Sequence, residues 1–187
     1  MRFLSSAEMV RLGEALRAAE CDGLNPYALA AIRLLFLTGC RRNEILELKW
    51  EQVDFETGFL RLGDSKTGAK VTPIGAPVLS LLSGLPRVSE NPYVIPGGTT
   101  GSHLVGIQKV WSKVRRRAGL EDVRLHDLRH SFASVGARSG ESLLVIGKVL
   151  GHSTSAATER YAHLSNDPGK SASEVVSSII QERLGAK

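Results

Sequence analysis

The chain has 187 residues, which suits one well-buried domain and is too short for two generous ones. Its hydrophobic fraction of 42% and charged fraction of 23% are ordinary for a soluble globular protein, and no run approaches the ~20 apolar residues needed to span a bilayer. A net charge of +5 suits a polyanionic partner without identifying one. Cys21 and Cys40 lack metal-ligand spacing and sit in apolar helical contexts, so reduced, buried thiols and a cytoplasmic protein are expected. The N-terminus carries no secretory pattern.

Ser5 to Glu20 reads as a helix, with Ser5 and Glu8 as a capping box and Leu12, Leu16 and Ala19 on one face. Asn25-Pro26 opens a second helix that runs through Leu29, Ile32 and Leu35-Phe36 to a stop at Gly39. Arg41 then stands at the opening of a short helix, Asn43 to Lys49, whose Ile45, Leu46 and Leu48 face the core. The periodicity next changes to short β-rich runs at Gln52 to Phe55, Phe59 to Leu62 and Lys70 to Ile74, a small three-stranded antiparallel sheet with Lys66 at its second turn. Helical patterns resume at Pro77 to Leu82 and His103 to Ala118, then at about 126–138, 142–150 and 155–163, with Gly140 and Gly151 as punctuation. A last amphipathic segment, Ser171 to Leu184, needs a partner for its apolar face. The expected class is mainly α with a small sheet (α+β), as one domain over 1–169 and a helical tail over 170–187.

The densest chemistry lies in the last third, where His126-Asp127-Leu128-Arg129-His130 precedes Leu150-Gly151-His152 and then Tyr161. A phenol with a pKa near ~10 is a poor nucleophile unless cationic groups stabilise the phenolate or the charge on its target. Arginine forks match phosphate oxygens two at a time, so arginine beside tyrosine suggests phosphoryl transfer. Each residue also has a plainer reading. Arg41, within Cys40-Arg41-Arg42-Asn43, could be a solvated charge, and Glu44 a surface acid in a first helical turn, although it also lies within reach of the Arg41 guanidinium. His126 and His130, four apart, could share a metal, but no third ligand or general base accompanies them and Arg129 opposes a divalent cation, so no metal site is expected. His130 is read as packing or hydrogen bonding within its helix. His152 could be a histidine at a helix C-terminus, Tyr161 a half-buried helix residue, and Lys66 a solvated hairpin lysine easily confused with Lys70. The run Lys109, Lys113, Arg115, Arg116 and Arg117 could be a solvated helix face.

These segments resemble the tyrosine recombinase (phage integrase) family at four places in the right order, over roughly residues 4 to 165. Thr38-Gly39-Cys40-Arg41-Arg42-Asn43-Glu44-Ile45 is similar to its T-G-x-R-x-x-E motif. Ser65-Lys66-Thr67-Gly68 with Val71-Thr72-Pro73-Ile74 resembles the hairpin that carries its active-site lysine, and HDLRHSFAS and LGHSTSAATERYAHL resemble its second and third motifs. The resemblance implies Tyr161 as nucleophile and Arg41 and Arg129 as a phosphate clamp. It also implies His126 as an acid–base or phosphate-contacting group, His152 as a donor to the scissile phosphate and Lys66 as the acid for the departing 5′ oxygen. Glu44 takes a supporting role. Lys113, Arg115 and Arg116 become candidates for following a DNA backbone.

The implied activity is site-specific cleavage and rejoining of double-stranded DNA through a 3′-phosphotyrosyl link, with no metal and no nucleotide cofactor. The resemblance starts almost at the first residue, so the separate N-terminal helical domain of family members is expected to be absent and DNA binding weak. It further implies self-association on DNA, as a synaptic tetramer in the full-length protein, a nucleoid-associated location with no membrane contact, and docking of the tail on a neighbouring protomer or in cis. Two other readings stand beside it: a DNA-binding module with a decayed site, and a metal-dependent phosphodiesterase built on the histidines.

Overall fold

The computed structural model describes residues 2–65, 68–152, 156–164, 173 and 176–180. Helix α1 (Ser6–Cys21) starts on the expected reciprocal cap: Ser5 accepts the Glu8 N–H, and the Glu8 carboxylate accepts the Ser5 N–H at 2.8 Å. Leu12, Leu16 and Ala19 are buried. Cys21, expected to be buried, is exposed, while Cys40 is buried. Cys21 lies nine residues, two and a half helical turns, after Leu12 and so points away from that stripe.

Helix α2 (Pro26–Thr38) is capped by Asn25, whose Oδ1 accepts the N–H groups of Tyr27 and Ala28. It packs against α1 and against the later helices α3 (Arg42–Leu46), α4 (Ala76–Ser83), α5 (Ile107–Arg117) and α6 (Leu125–Arg138), which makes it the axis of the main core. Gly39 ends it in the left-handed region at φ 63°. The chain then turns straight into α3, which is shorter than the expected Asn43–Lys49. The Leu48 carbonyl accepts the Val94 N–H at 2.8 Å and the Trp50 N–H donates to Pro92 at 3.0 Å, so an extended pairing takes the backbone groups a longer helix would use. Leu48 still reaches the core.

Strands β1 (Val53–Asp54), β2 (Phe59–Ser65) and β3 (Gly68–Pro73) form an antiparallel sheet in the order β1-β2-β3. Leu60 opposes both Val53 and Thr72, and Leu62 opposes Lys70. Leu60, Leu62 and Thr72 are buried while Val71 is exposed, the alternation of a sheet with one covered face. Lys66 lies outside the described residues. Helix α5 begins at Ile107 rather than His103, because His103 bridges to Pro96 and Gly106 adopts φ 76°.

Helix α6 carries the second motif; α7 (Leu143–Leu150) ends where the third begins, and Gly151 closes it at φ 69°. The helix expected over 155–163 is two pieces, α8 (Ala156–Glu159) and a 3₁₀ turn over Ala162–Leu164. The break falls at Tyr161, whose ring enters a small cluster with Ala133, Ala137, Ile146 and Leu150. Its N–H tightens onto the Thr158 carbonyl at 3.0 Å. Of the predicted tail, residues 176–180 are helical, with Val176, Ile179 and Ile180 exposed; most of that segment lies outside the described residues. Among the described residues no helix is long and apolar enough to cross a membrane.

Candidate active site

Two loops converge beside the C-terminal end of α2. The first carries Arg41, the residue before α3. Its N–H donates to Glu44 Oε2 at 2.7 Å and its guanidinium to Glu44 Oε1 at 2.8 Å, so one carboxylate caps the helix and aims the arginine. Burial pushes the Glu44 carboxyl up, but the Arg41 N–H and the Lys70 charge pull harder, and its pKa ends below the usual range. The second loop carries Arg124, before α6, and repeats the device. Its backbone N–H, Nε and guanidinium all donate to the fully buried carboxylate of Asp127 at 2.8–3.2 Å. Arginine with an acid three residues on, at the start of a helix, is a signal readable from sequence, and Arg124 was missed there.

Arg129 is one turn further along α6 and 6% exposed. It donates to the carbonyls of Gly39 at 2.7 Å and Leu150 at 3.0 Å, tying the end of α2 to the end of α7. No carboxylate bonds it among the described residues. Burial, then the nearby charge of Arg41, draws its pKa below the ordinary range. A guanidinium has five N–H donors, so three remain for a ligand. Arg41, Arg42, Arg115, Arg124 and Arg129 line one open cavity of about 640 Å³ with His126, Asn43 and Gln108, and among the described residues no carboxylate lines it. Of the basic run on α5, Arg115 joins this wall, its guanidinium held by the Val123 carbonyl at 3.0 Å. Lys113 and Arg116 instead line a different cavity, beside Asp22. Gln108 and Arg115 stand seven residues apart, about two helical turns, so both lie on one face, whereas Lys113 and Arg116 lie on another.

Behind the wall the imidazoles are layered. His126 meets His130 edge to face at 4.8 Å between ring centres, and His130 Nδ1 lies 2.6 Å from the Tyr161 hydroxyl. Burial, then the charge of His126, lowers the His130 pKa to about 4. At neutral pH the ring is therefore uncharged, and in the Nε2–H tautomer Nδ1 accepts a hydrogen bond from the phenol. His130 thus bonds across to Tyr161 instead of within its own helix, a partner 31 residues away that helical spacing could not indicate. Tyr161 itself is 1% exposed, and burial raises its pKa while Arg160 and Arg129 pull it down.

His152 follows the left-handed Gly151, and its Nδ1 lies 2.7 Å from the Thr158 hydroxyl. Burial, then the charges of Arg129, Arg160, Arg41 and Lys70, lower its pKa to about 4, so it is neutral at pH 7. With the Thr158 hydroxyl donating to Nδ1, the proton sits on Nε2, which becomes a donor for an external oxygen. His126 is also lowered, by burial first and then by Arg129. Arg41, Glu44, His126, His152 and Tyr161 each lie within electrostatic reach of Arg129. The phenol, though, engages His130 rather than the open cavity.

The family model described as "Phage integrase family" matches residues 2–167. The chain belongs to this family of tyrosine recombinases. It is 30% identical over 170 residues to the tyrosine recombinase XerC of Xanthomonas axonopodis pv. citri (strain 306), covering 87% of this chain and 54% of that protein. It is 28% identical over 142 residues to the prophage integrase IntF of Escherichia coli (strain K12), covering 73% of this chain and 30% of that one. The chain thus spans about a third to a half of the length of these curated relatives. Among solved structures, the catalytic domain of bacteriophage HP1 integrase matches with a TM-score of 0.70 at 28% identity, covering 93% of this chain and 94% of that one.

Proposed function

We propose that this chain is the strand-cleaving and rejoining part of a site-specific DNA recombinase. The observation that carries the reading is Arg129, a buried guanidinium bonded to carbonyls and set with Arg41 in a cavity whose described lining is rich in arginine. Such an arrangement is stabilised when an anion arrives. A backbone phosphate bound there meets both arginines, His126 on α6 and the Nε2 of His152. Tyr161 gives up its phenol proton to the His126 imidazole and attacks phosphorus, forming a 3′-phosphotyrosyl ester while the bond to the 5′ oxygen breaks and that oxygen leaves as a hydroxyl. The two guanidiniums stabilise the added charge, and Lys66 protonates the leaving oxygen. The ester keeps the energy of the broken bond, so a 5′-hydroxyl from another strand reverses the step with neither metal nor nucleotide.

For this chemistry the Tyr161 segment must leave its cluster. Withdrawing a large side chain from an apolar site costs about 2 kcal/mol, an amount that contacts to a bound duplex can supply. Arg42, Arg115 and Arg124 extend the basic wall on either side of the clamp and meet flanking phosphates. Lys113 and Arg116, in a different cavity, follow the duplex only where it runs further. Self-association on DNA, as a synaptic tetramer of the full-length protein at the nucleoid, completes the proposal.

The test is incubation with a pool of random-sequence nicked duplexes in EDTA, followed by denaturing gels. The wild-type chain is expected to form a denaturant-stable DNA adduct that Tyr161→Phe abolishes. Binding without adduct would establish a DNA-binding module whose buried Tyr161 is inert, and cleavage sensitive to EDTA would establish metal chemistry; either overturns the proposal.

A further inference from the structure

Lys70 lies on the inward face of β3, next to the exposed Val71 and on the same side as the buried Thr72. An ammonium at such a position needs a partner. Its side chain is 9% exposed and Nζ sits 3.1 Å from Glu44 Oε2. That same oxygen accepts the Arg41 N–H, while the other carboxylate oxygen holds the Arg41 guanidinium. The stem of Lys70 runs along Gly151: a Cβ there would stand 2.9 Å from both Lys70 Cδ and Cε. Gly151 sets the turn that carries His152. One buried side chain therefore touches the carboxylate that aims Arg41 and the turn that aims His152, from the hairpin that also carries Lys66.

We infer that Lys70 is a positioning residue of the cleavage site, fixing Arg41 through Glu44 and the His152 turn through its aliphatic stem, and that it is not the acid for the leaving oxygen. The ammonium is committed to a buried ion pair, and giving up its proton would leave the Glu44 charge without that partner. The inference rests on the cleavage reading above.

The experiment compares adduct formation on an ordinary duplex and on one with a 5′-bridging sulfur at the scissile bond, whose thiolate leaves without protonation. Lys66→Met, which removes the proposed acid, should be slow on the oxygen substrate and restored on the sulfur one. Lys70→Met should be slowed by about tenfold or more on both, as expected of a clamp set out of line by a fraction of an ångström. In a Glu44→Gln background, adding Lys70→Met should cost less than about threefold, since coupled residues are not additive. That double variant removes both buried charges together and keeps the comparison open if Lys70→Met alone unfolds. Sulfur rescue of Lys70→Met, a wild-type rate for it, or full additivity with Glu44→Gln overturns the inference alone. A wild-type protein inert on both substrates overturns the cleavage reading and the inference with it.

Discussion

Arg129 and His130 are neighbours on α6 with opposite tasks. Arg129 has its guanidinium in the basic wall, while His130 turns inward to hold a phenol. Replacing Arg129 by lysine keeps the charge and loses the fork that spans Gly39, Leu150 and a ligand. By analogy with other buried donors aimed at developing charge, adduct formation should fall by roughly 10²–10³-fold, read from single-turnover rates. His130→Ala leaves a buried hydroxyl without its partner and should cost about 1–3 kcal/mol in urea unfolding. The same change in a Tyr161→Phe background should cost less, and equal costs in both backgrounds would mean the 2.6 Å contact contributes nothing.

The turns between elements are as constrained as the elements. Gly39 and Gly119 share φ 63°, so an alanine at either bears the same backbone strain, roughly 1–2 kcal/mol. They differ in the space around them. A Cβ on Gly39 would lie 2.7 Å from Leu150 Cδ2 and 2.8 Å from Phe132 Cδ1, whereas one on Gly119 meets nothing within 4 Å. Gly39→Ala should therefore be the more destabilising in urea titrations, by about 1–3 kcal/mol of overpacking. It should also slow cleavage, because the Gly39 carbonyl holds Arg129. Equal losses at the two glycines would show that the junction of α2, α6 and α7 is loose.

At the scale of the whole molecule, charge and titration set the response to solution conditions. His130 and His152 both have pKa values near 4 in the fold, below the ordinary 6.5. The unfolded chain then binds more protons between these values, so stability is full above pH 6.5 and falls as pH drops toward 4. Melting temperatures should begin to decline on the acid side of pH 6.5, before the carboxylates titrate. In His130→Gln/His152→Gln that early decline should be reduced, and an unchanged profile would remove these histidines as its source. The arginine-rich wall makes a second demand, a steep loss of duplex affinity with salt. Alanine at Arg42, Arg115 or Arg124 should each lower the slope of log K against log salt by about one, measured by anisotropy.

What could be read from sequence was local or motif-bound. Ser5 with Glu8, Asn25 with Pro26, and Gly39 and Gly151 mark helix ends through contacts a few residues apart, and strand alternation is a property of near neighbours. The reach of Glu44 back to Arg41 spans three residues and was legible for the same reason. Contacts across the chain were not legible: His130 with Tyr161, Lys70 with Glu44, and the packing that breaks the helix at Tyr161. Each depends on which faces are covered when α6, α7 and β3 pack around the end of α2, and burial, which sets these partners and shifts their protons, is defined only by the assembled core.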